Sequence, residues 1–165
     1  MDNIIKENYL ILTDLWQEFC KLHTELFEYT CEEYSLLLSS EIDPLELVLD
    51  KKEKTIEKIK MLESKRRDII NTLNSTLPHE KKIERVYDLL NLMNLYEVKN
   101  GESFLTKYNS LLIDIIEKIR QQNRRNQIFI NKSLNSLKII KDGLSGLKTF
   151  PTYNSQGLTG HLKSP

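Results

Sequence analysis

Alanine is absent from this chain, and glycine and proline are scarce, at 5 and 4 of 165 residues. Without alanine there are no small-residue seams along which helix backbones can touch, so buried helix faces must carry bulky side chains. The scarcity of glycine and proline leaves a composition led by Leu, Ile, Lys, Glu and Asn, which favours helix, and strand signals are almost lacking. No run of about 18 apolar residues occurs, so membrane insertion is not expected. The start, Met1, Asp2, Asn3, Ile4, Ile5, Lys6, Glu7, has neither the basic opening nor the apolar run of a signal peptide. Cysteine is rare as well. Cys20 and Cys31 fall on one expected helix, roughly 16 Å apart along its axis, too far to bridge. With no disulfide framework and no export signal, the expected compartment is the cytoplasm.

The common signatures of chemistry are also missing. A di-metal helical bundle needs Glu-x-x-His pairs, and none occurs among the three scattered histidines, His23, His79 and His161. Cys20 and His23 form the one helix-spaced pair able to offer half a zinc site, with no further ligands to complete it. Gly143, Leu144, Ser145, Gly146 has the wrong spacing for a nucleophile elbow and follows no strand, so it reads as a helix end. Phosphate-binding and dinucleotide-binding glycine loops are absent. No catalytic residue, metal or cofactor is expected, and the chain reads as a binding protein rather than an enzyme.

Charge is present in balance, with 24 basic and 24 acidic side chains. Its distribution is uneven: residues 1–49 hold eleven acidic and two basic side chains, leaving thirteen against twenty-two for the rest. Lys51, Lys52, Lys54, Lys58, Lys60, Lys65, Arg66 and Arg67 resemble a nucleic-acid stripe, but Glu53, Glu57 and Glu63 interrupt any surface that could track phosphates. An acidic first helix folded against a basic second one accounts for both halves, and no nucleic-acid partner is expected.

Helical periodicity organises the whole chain. Over about 3–39, Ile5, Leu12, Phe19 and Leu26 make one line and Leu15, Leu22, Tyr29 and Leu36 the next, widened by Tyr9, Trp16 and Leu37. This helix would be roughly 55 Å long. Asp43 as cap with Pro44 in the first turn starts a second helix, 44–77. Its expected stripe is Leu45, Leu49, Ile56, Ile59, Ile70, Leu73 and Leu77, supported by Val48, Leu62 and Ile69, and Pro78 stops it. A third helix is expected over 79–95 with Ile83, Val86, Tyr87, Leu90 and Met93 on its face, ended by Lys99, Asn100, Gly101, Glu102. Ser103 is the candidate cap of a last helix, 103–148, carrying Tyr108, Leu112, Ile115, Ile119, Ile130, Leu137, Ile140, Leu144 and Leu147. The fold class is all-α: an elongated antiparallel helical bundle or coiled-coil hairpin with a long final helix, forming one domain over 1–148. Residues 149–165, rich in Thr, Pro, Asn, Ser and Gly, read as a flexible tail.

Polar residues interrupt these stripes. A fold-back near residues 41 and 42 pairs positions whose numbers sum to about 83, placing Glu33 near Lys52 and Glu18 near Arg66. With Asn123 and Asn126 on the last helix, these are the expected polar seam, and ion pairs there would set the hairpin register. At the other extreme, Leu134, Leu137, Ile140, Leu144 and Leu147 continue an apolar stripe along a helix of roughly 69 Å, longer than its neighbours. Its uncovered end would take a partner's amphipathic helix. The competing interpretation is a self-assembling coiled-coil scaffold with no client.

Three segments taken in order carry a family resemblance. Glu33 and Leu37 lead through Asp43 to Lys52, Ile56, Ile59, Arg66 and Arg67. Gln122, Asn123, Asn126, Leu134 and Leu137 follow on the last helix, and Thr152, Tyr153, Asn154, Ser155, Gln156, Gly157 close the series. This order resembles the FlgN family, flagellar type III export chaperones for the hook-filament junction proteins. The resemblance implies that the last helix binds the carboxy-terminal amphipathic helices of those proteins and keeps them unassembled. It further implies that the tail, through Tyr153 and Gly157, docks the loaded chaperone on the cytoplasmic domain of the export gate. Leu158 stands where polar residues are common in the family, and the tail beyond it is short.

Overall fold

The computed structural model describes residues 2–78 and 82–146. They form four helices: α1 (Asp2–Ser39), α2 (Ile42–Thr76), α3 (Val86–Asn100) and α4 (Phe104–Gly146). The chain divides into two compact units, Met1–Asn126 and Gln127–Pro165.

In the first unit three seams share one heptad rhythm, stepping alternately by three and four residues. On α1 the seam is Tyr9, Leu12, Trp16, Phe19, His23, Leu26, Thr30 and Glu33, buried or half-buried throughout. On α2 it is Val48, Lys52, Thr55, Ile59, Leu62, Arg66, Ile69 and Leu73. On α4 it runs Leu105, Tyr108, Leu112, Ile115, Ile119, Gln122 and Asn126. The α2 seam departs from the sequence expectation: Leu49 and Ile56 are 45% and 38% exposed, while Val48 and Thr55 are buried. The reason is that Lys52 and Arg66 hold seam positions, so counting apolar residues alone finds the wrong line.

Side-chain contacts fix the directions. Lys52 pairs with Glu33 and the Arg66 guanidinium lies 5.6 Å from the Phe19 ring centroid, so α2 runs antiparallel to α1. Trp16 Nε1 donates to Asn109 Oδ1 at 3.1 Å and Asn126 Nδ2 to the Thr30 carbonyl at 3.0 Å, so α4 runs parallel to α1. Large side chains fill the space between the helices, as a chain without alanine requires: Trp16, Tyr9 and Phe19 are all no more than 2% exposed. Aromatic side chains of this kind bury roughly 150–250 Å² each and dominate such a core.

The α1–α2 turn closes with Ser40 at φ 58 and the Glu41 N–H donating to the Leu36 carbonyl at 3.1 Å, the hydrogen bond of a Schellman cap. Helix α2 therefore begins two residues before the expected Pro44, with Glu41 as its N-cap. The first helical hydrogen bond, Leu45 N–H to Glu41 at 3.3 Å, comes just after Pro44, so the missing donor of the proline costs nothing. A left-handed conformation is unfavourable for serine and free for glycine. Ser40→Gly should raise stability by roughly 0.5–1 kcal/mol once the added freedom of the unfolded chain is deducted, read as a higher urea midpoint with an unchanged slope.

Helix α3 begins at Val86, not at residue 79. The expected start at His79 falls outside the described residues, but 82–85 are described and are not helical. Asn74 explains this by holding both backbone groups of Ile83: Nδ2 donates to its carbonyl at 2.9 Å and Oδ1 accepts its N–H at 2.8 Å. Ile83 is thereby buried in non-helical chain, at 4% exposure. Asp88 then accepts the N–H groups of Glu84 and Arg85, at 3.2 and 2.8 Å, and starts the helix. Within α3, Tyr87, expected on the buried face, is 69% exposed, while Leu89, Met93 and Glu97 are inside. Gly101, at φ 70, ends α3.

The start of α4 is held by α3. Glu97, 2% exposed, accepts the Leu105 N–H at 2.7 Å, the Thr106 N–H at 3.3 Å, the Thr106 hydroxyl and the Tyr9 hydroxyl at 2.9 Å. A carboxylate at free N–H groups of a helix start also meets the positive end of its dipole. Glu97, not the expected Ser103, thus supplies the capping side chain. Burial first, then the hydrogen bond to Glu97 and its charge, push the Tyr9 hydroxyl up to about 12.

Candidate functional site

The polar seam gathers at one level of the first unit. Glu33 of α1 and Lys52 of α2 form an ion pair with side chains 11% and 14% exposed, and Asn123 Oδ1 of α4 stands 3.5 Å from the same ammonium. One turn along α4, Asn126 is 2% exposed and accepts from Gln122 Nε2 at 3.0 Å while donating to the Thr30 carbonyl. Thr30 donates its hydroxyl to Leu26 within α1 at 2.7 Å. The sequence reading missed Thr30, Thr55 and Gln122 here, although all three lie on the heptad seams.

Glu18 and Arg66 do not meet. Glu18 lies 3.7 Å from Lys21, one turn along its own helix, with side chains 46% and 64% exposed. Arg66 lies over Phe19, its Nε buried without a hydrogen-bond partner, and burial holds its guanidinium below the ordinary value. Phe19 takes the seam position facing Arg66, and Glu18, one residue earlier, is turned away by the helical rotation. Of the charge complementarity expected between α1 and α2, the structure brings together Glu33 and Lys52; Lys51 instead lies over an aromatic ring, its ammonium 5.7 Å from the Tyr29 ring centroid.

Cys20 and His23 are engaged separately. The Cys20 thiol donates to the Tyr108 carbonyl at 3.3 Å, and burial raises its pKa. His23 Nδ1 lies 2.7 Å from the Phe19 carbonyl, and burial lowers its pKa. Both cysteines are free thiols. Among the described residues no three His, Cys, Asp or Glu side chains are grouped as metal ligands would be, and no helix is long and apolar enough to cross a membrane.

In the second unit, residues 127–146 continue as helix. Leu134, Leu137, Ile140 and Leu144 are exposed to 58%, 62%, 58% and 60%. At about 100° per residue their spacing confines them to an arc of roughly 120°, with Lys141 inside the arc near Leu134 and Lys138 about 40° beyond that same edge. Polar side chains are satisfied within the helix, as in Gln127 to Asn131 at 3.1 Å and Ser136 to the Lys132 carbonyl at 3.1 Å. Leu147, Tyr153, Gly157 and the whole expected tail, 149–165, lie outside the described residues.

The hairpin thus spends its apolar stripe in the core of the first unit, and residues 134–144 present an exposed one. A family model described as FlgN protein matches residues 9–160, and the chain belongs to the FlgN family. That family is one of flagellar export chaperones and not of enzymes. No curated protein and no solved structure matches the chain.

Proposed function

We propose that the protein is a cytoplasmic chaperone of flagellar type III export that binds the carboxy-terminal amphipathic helices of hook-filament junction proteins. The stripe Leu134, Leu137, Ile140, Leu144, continued in sequence by Leu147, takes the apolar face of the client helix, which would otherwise self-associate before secretion. Tyr153 and Gly157 in the tail dock the loaded chaperone on the cytoplasmic domain of the export gate. The observation carrying this reading is the exposure of four large apolar side chains on one helix face, a surface that single scattered hydrophobics do not make. Lys138 and Lys141 beside it favour a client with acidic flanks.

Affinity of a junction-protein carboxy-terminal peptide for the Leu137→Ser, Ile140→Ser, Leu144→Ser triple variant tests it. These side chains are exposed, so the melting temperature should stay put while affinity falls by about tenfold or more. Full affinity in the triple variant, or a change confined to self-association in sedimentation, overturns the reading.

A further inference from the structure

The basic stretch of 51–67 is interrupted by Glu53, Glu57 and Glu63, but between Glu117 and Asp142 the sequence holds seven basic side chains and no acidic one. Three of the seven, Lys132, Lys138 and Lys141, belong to the second unit. All three are exposed, and among the described residues no carboxylate pairs with them. Their placement around the helix is specific. Lys141 lies inside the arc of Leu134, Leu137, Ile140 and Leu144, while Lys138 and Lys132 stand about 40° and 80° beyond its two edges. The polar residues between those two lysines, Asn131 and Asn135, carry no charge. A helical segment with exposed Leu and Ile on one side, Lys around them and no carboxylate among them has the make-up of a helix that lies on a membrane surface.

We propose that residues 127–146 bind the surface of an anionic phospholipid bilayer while no client occupies the stripe. The segment lies in the plane of the headgroups and not across the bilayer, since no described helix is long and apolar enough to cross one. Leu134, Leu137, Ile140 and Leu144 enter the boundary between headgroups and acyl chains. Lys132 and Lys138 reach the phosphates from either side of the arc, and Lys141 keeps its place within it because its aliphatic stem can snorkel to the headgroups. The apolar arc is what separates this surface from a nucleic-acid site. A single strand is held by aromatic rings on which bases stack, whereas the exposed side chains of the arc are aliphatic and would gain nothing from a polyanion in water. The proposal does not rest on the client reading, since lipid binding requires no junction protein.

The test uses the full chain with no client peptide. It should float with phosphatidylcholine vesicles containing about one third phosphatidylglycerol, and bind pure phosphatidylcholine about tenfold or more weakly. Raising salt to about 1 M should release it from the anionic vesicles. The Lys132→Gln, Lys138→Gln, Lys141→Gln variant, altered only at exposed positions, should lose about tenfold or more in affinity for them at an unchanged melting temperature. The triple serine variant of the stripe should lose as much, because charge and apolar area act together. Amide exchange should slow within 127–146 when anionic vesicles are added. Lipid is absent from the peptide measurement of the client surface and client is absent from this one, so each reading fails on its own result. Equal binding to both vesicles, binding to neither, full affinity in either triple variant, or exchange protection confined to the first unit would each overturn the proposal. So would tighter binding to a single-stranded oligonucleotide than to anionic vesicles, or sedimentation as a dimer that the serine variant makes monomeric.

Discussion

Glu97→Ala should lower the stability of the fold by about 3 kcal/mol, a large effect for one polar side chain. The carboxylate accepts two backbone N–H groups at the start of α4, the Thr106 hydroxyl and the Tyr9 hydroxyl, and it is 2% exposed. Truncation leaves donors on two elements, α1 and α4, without an acceptor and forms a cavity between them, and each orphaned buried donor costs on the order of 1–3 kcal/mol. Glu97→Gln keeps the volume and one acceptor oxygen, so its loss should be about half as large. The same pair of variants has a signature at high pH. Tyr9 is an acid whose folded pKa, about 12, lies above its ordinary 10.0. The folded state therefore keeps a proton that the unfolded chain releases, so stability is intact below pH 10 and falls by about 2 kcal/mol as pH rises through 12. In Glu97→Gln the Tyr9 pKa should drop only part of the way, because burial is its largest cause and persists. Urea unfolding against pH, with tyrosinate absorbance followed in the folded state, measures both. A loss under about 1 kcal/mol for the alanine variant would mean that solvent reaches the node.

Why this node was illegible in the sequence is instructive beside what was legible. Four helices, their order and the hairpin are written in three- and four-residue steps of large apolar side chains, and Pro78 and Gly101 mark real ends. The family tie was also readable, because the Asn-bearing last helix and the tail motif follow the hairpin in a fixed order. Glu97, by contrast, is one of 24 acidic side chains, and its role depends on Gly101 folding α4 back so that Leu105 and Thr106 arrive beside it. Asn74 is similar: its grip on Ile83, nine residues away, decides where α3 begins, and no local pattern announces a side chain that holds backbone out of a helix. Tertiary hydrogen bonds overrode propensity in both places. The α2 seam failed for a different reason. Lys52 and Arg66 occupy seam positions, and a reading that counts only apolar residues slides to the adjacent line containing Leu49 and Ile56.

Lys52 also provides the second large expected effect. Lys52→Met should destabilise the chain by about 3 kcal/mol, because Glu33 is left as a charged group 11% exposed with its cation gone. Glu33→Leu should cost a similar amount, since the Lys52 ammonium then keeps only the Asn123 oxygen at 3.5 Å. The double variant should recover to within about 1 kcal/mol of the parent or exceed it, because apolar side chains of matched volume avoid the desolvation of both ions. The resulting coupling of a few kcal/mol is the difference between a working pair and two side chains that reach solvent independently, for which the two losses would simply add. Stability alone does not explain a charged pair in a heptad seam. Thr30, Glu33, Lys52, Thr55, Gln122 and Asn126 are polar or charged side chains on the three seams. A shift of α2 by one heptad in one direction would place Ile59 beside Glu33, and in the other would place Lys52 beside Leu26, so either shift separates the two charges. The double variant should therefore fold with less specific register, seen as doubled amide signals near the turn at Ser40 or as a broader unfolding transition. A single sharp set of signals in a fully stable double variant would remove register selection as the reason for the pair.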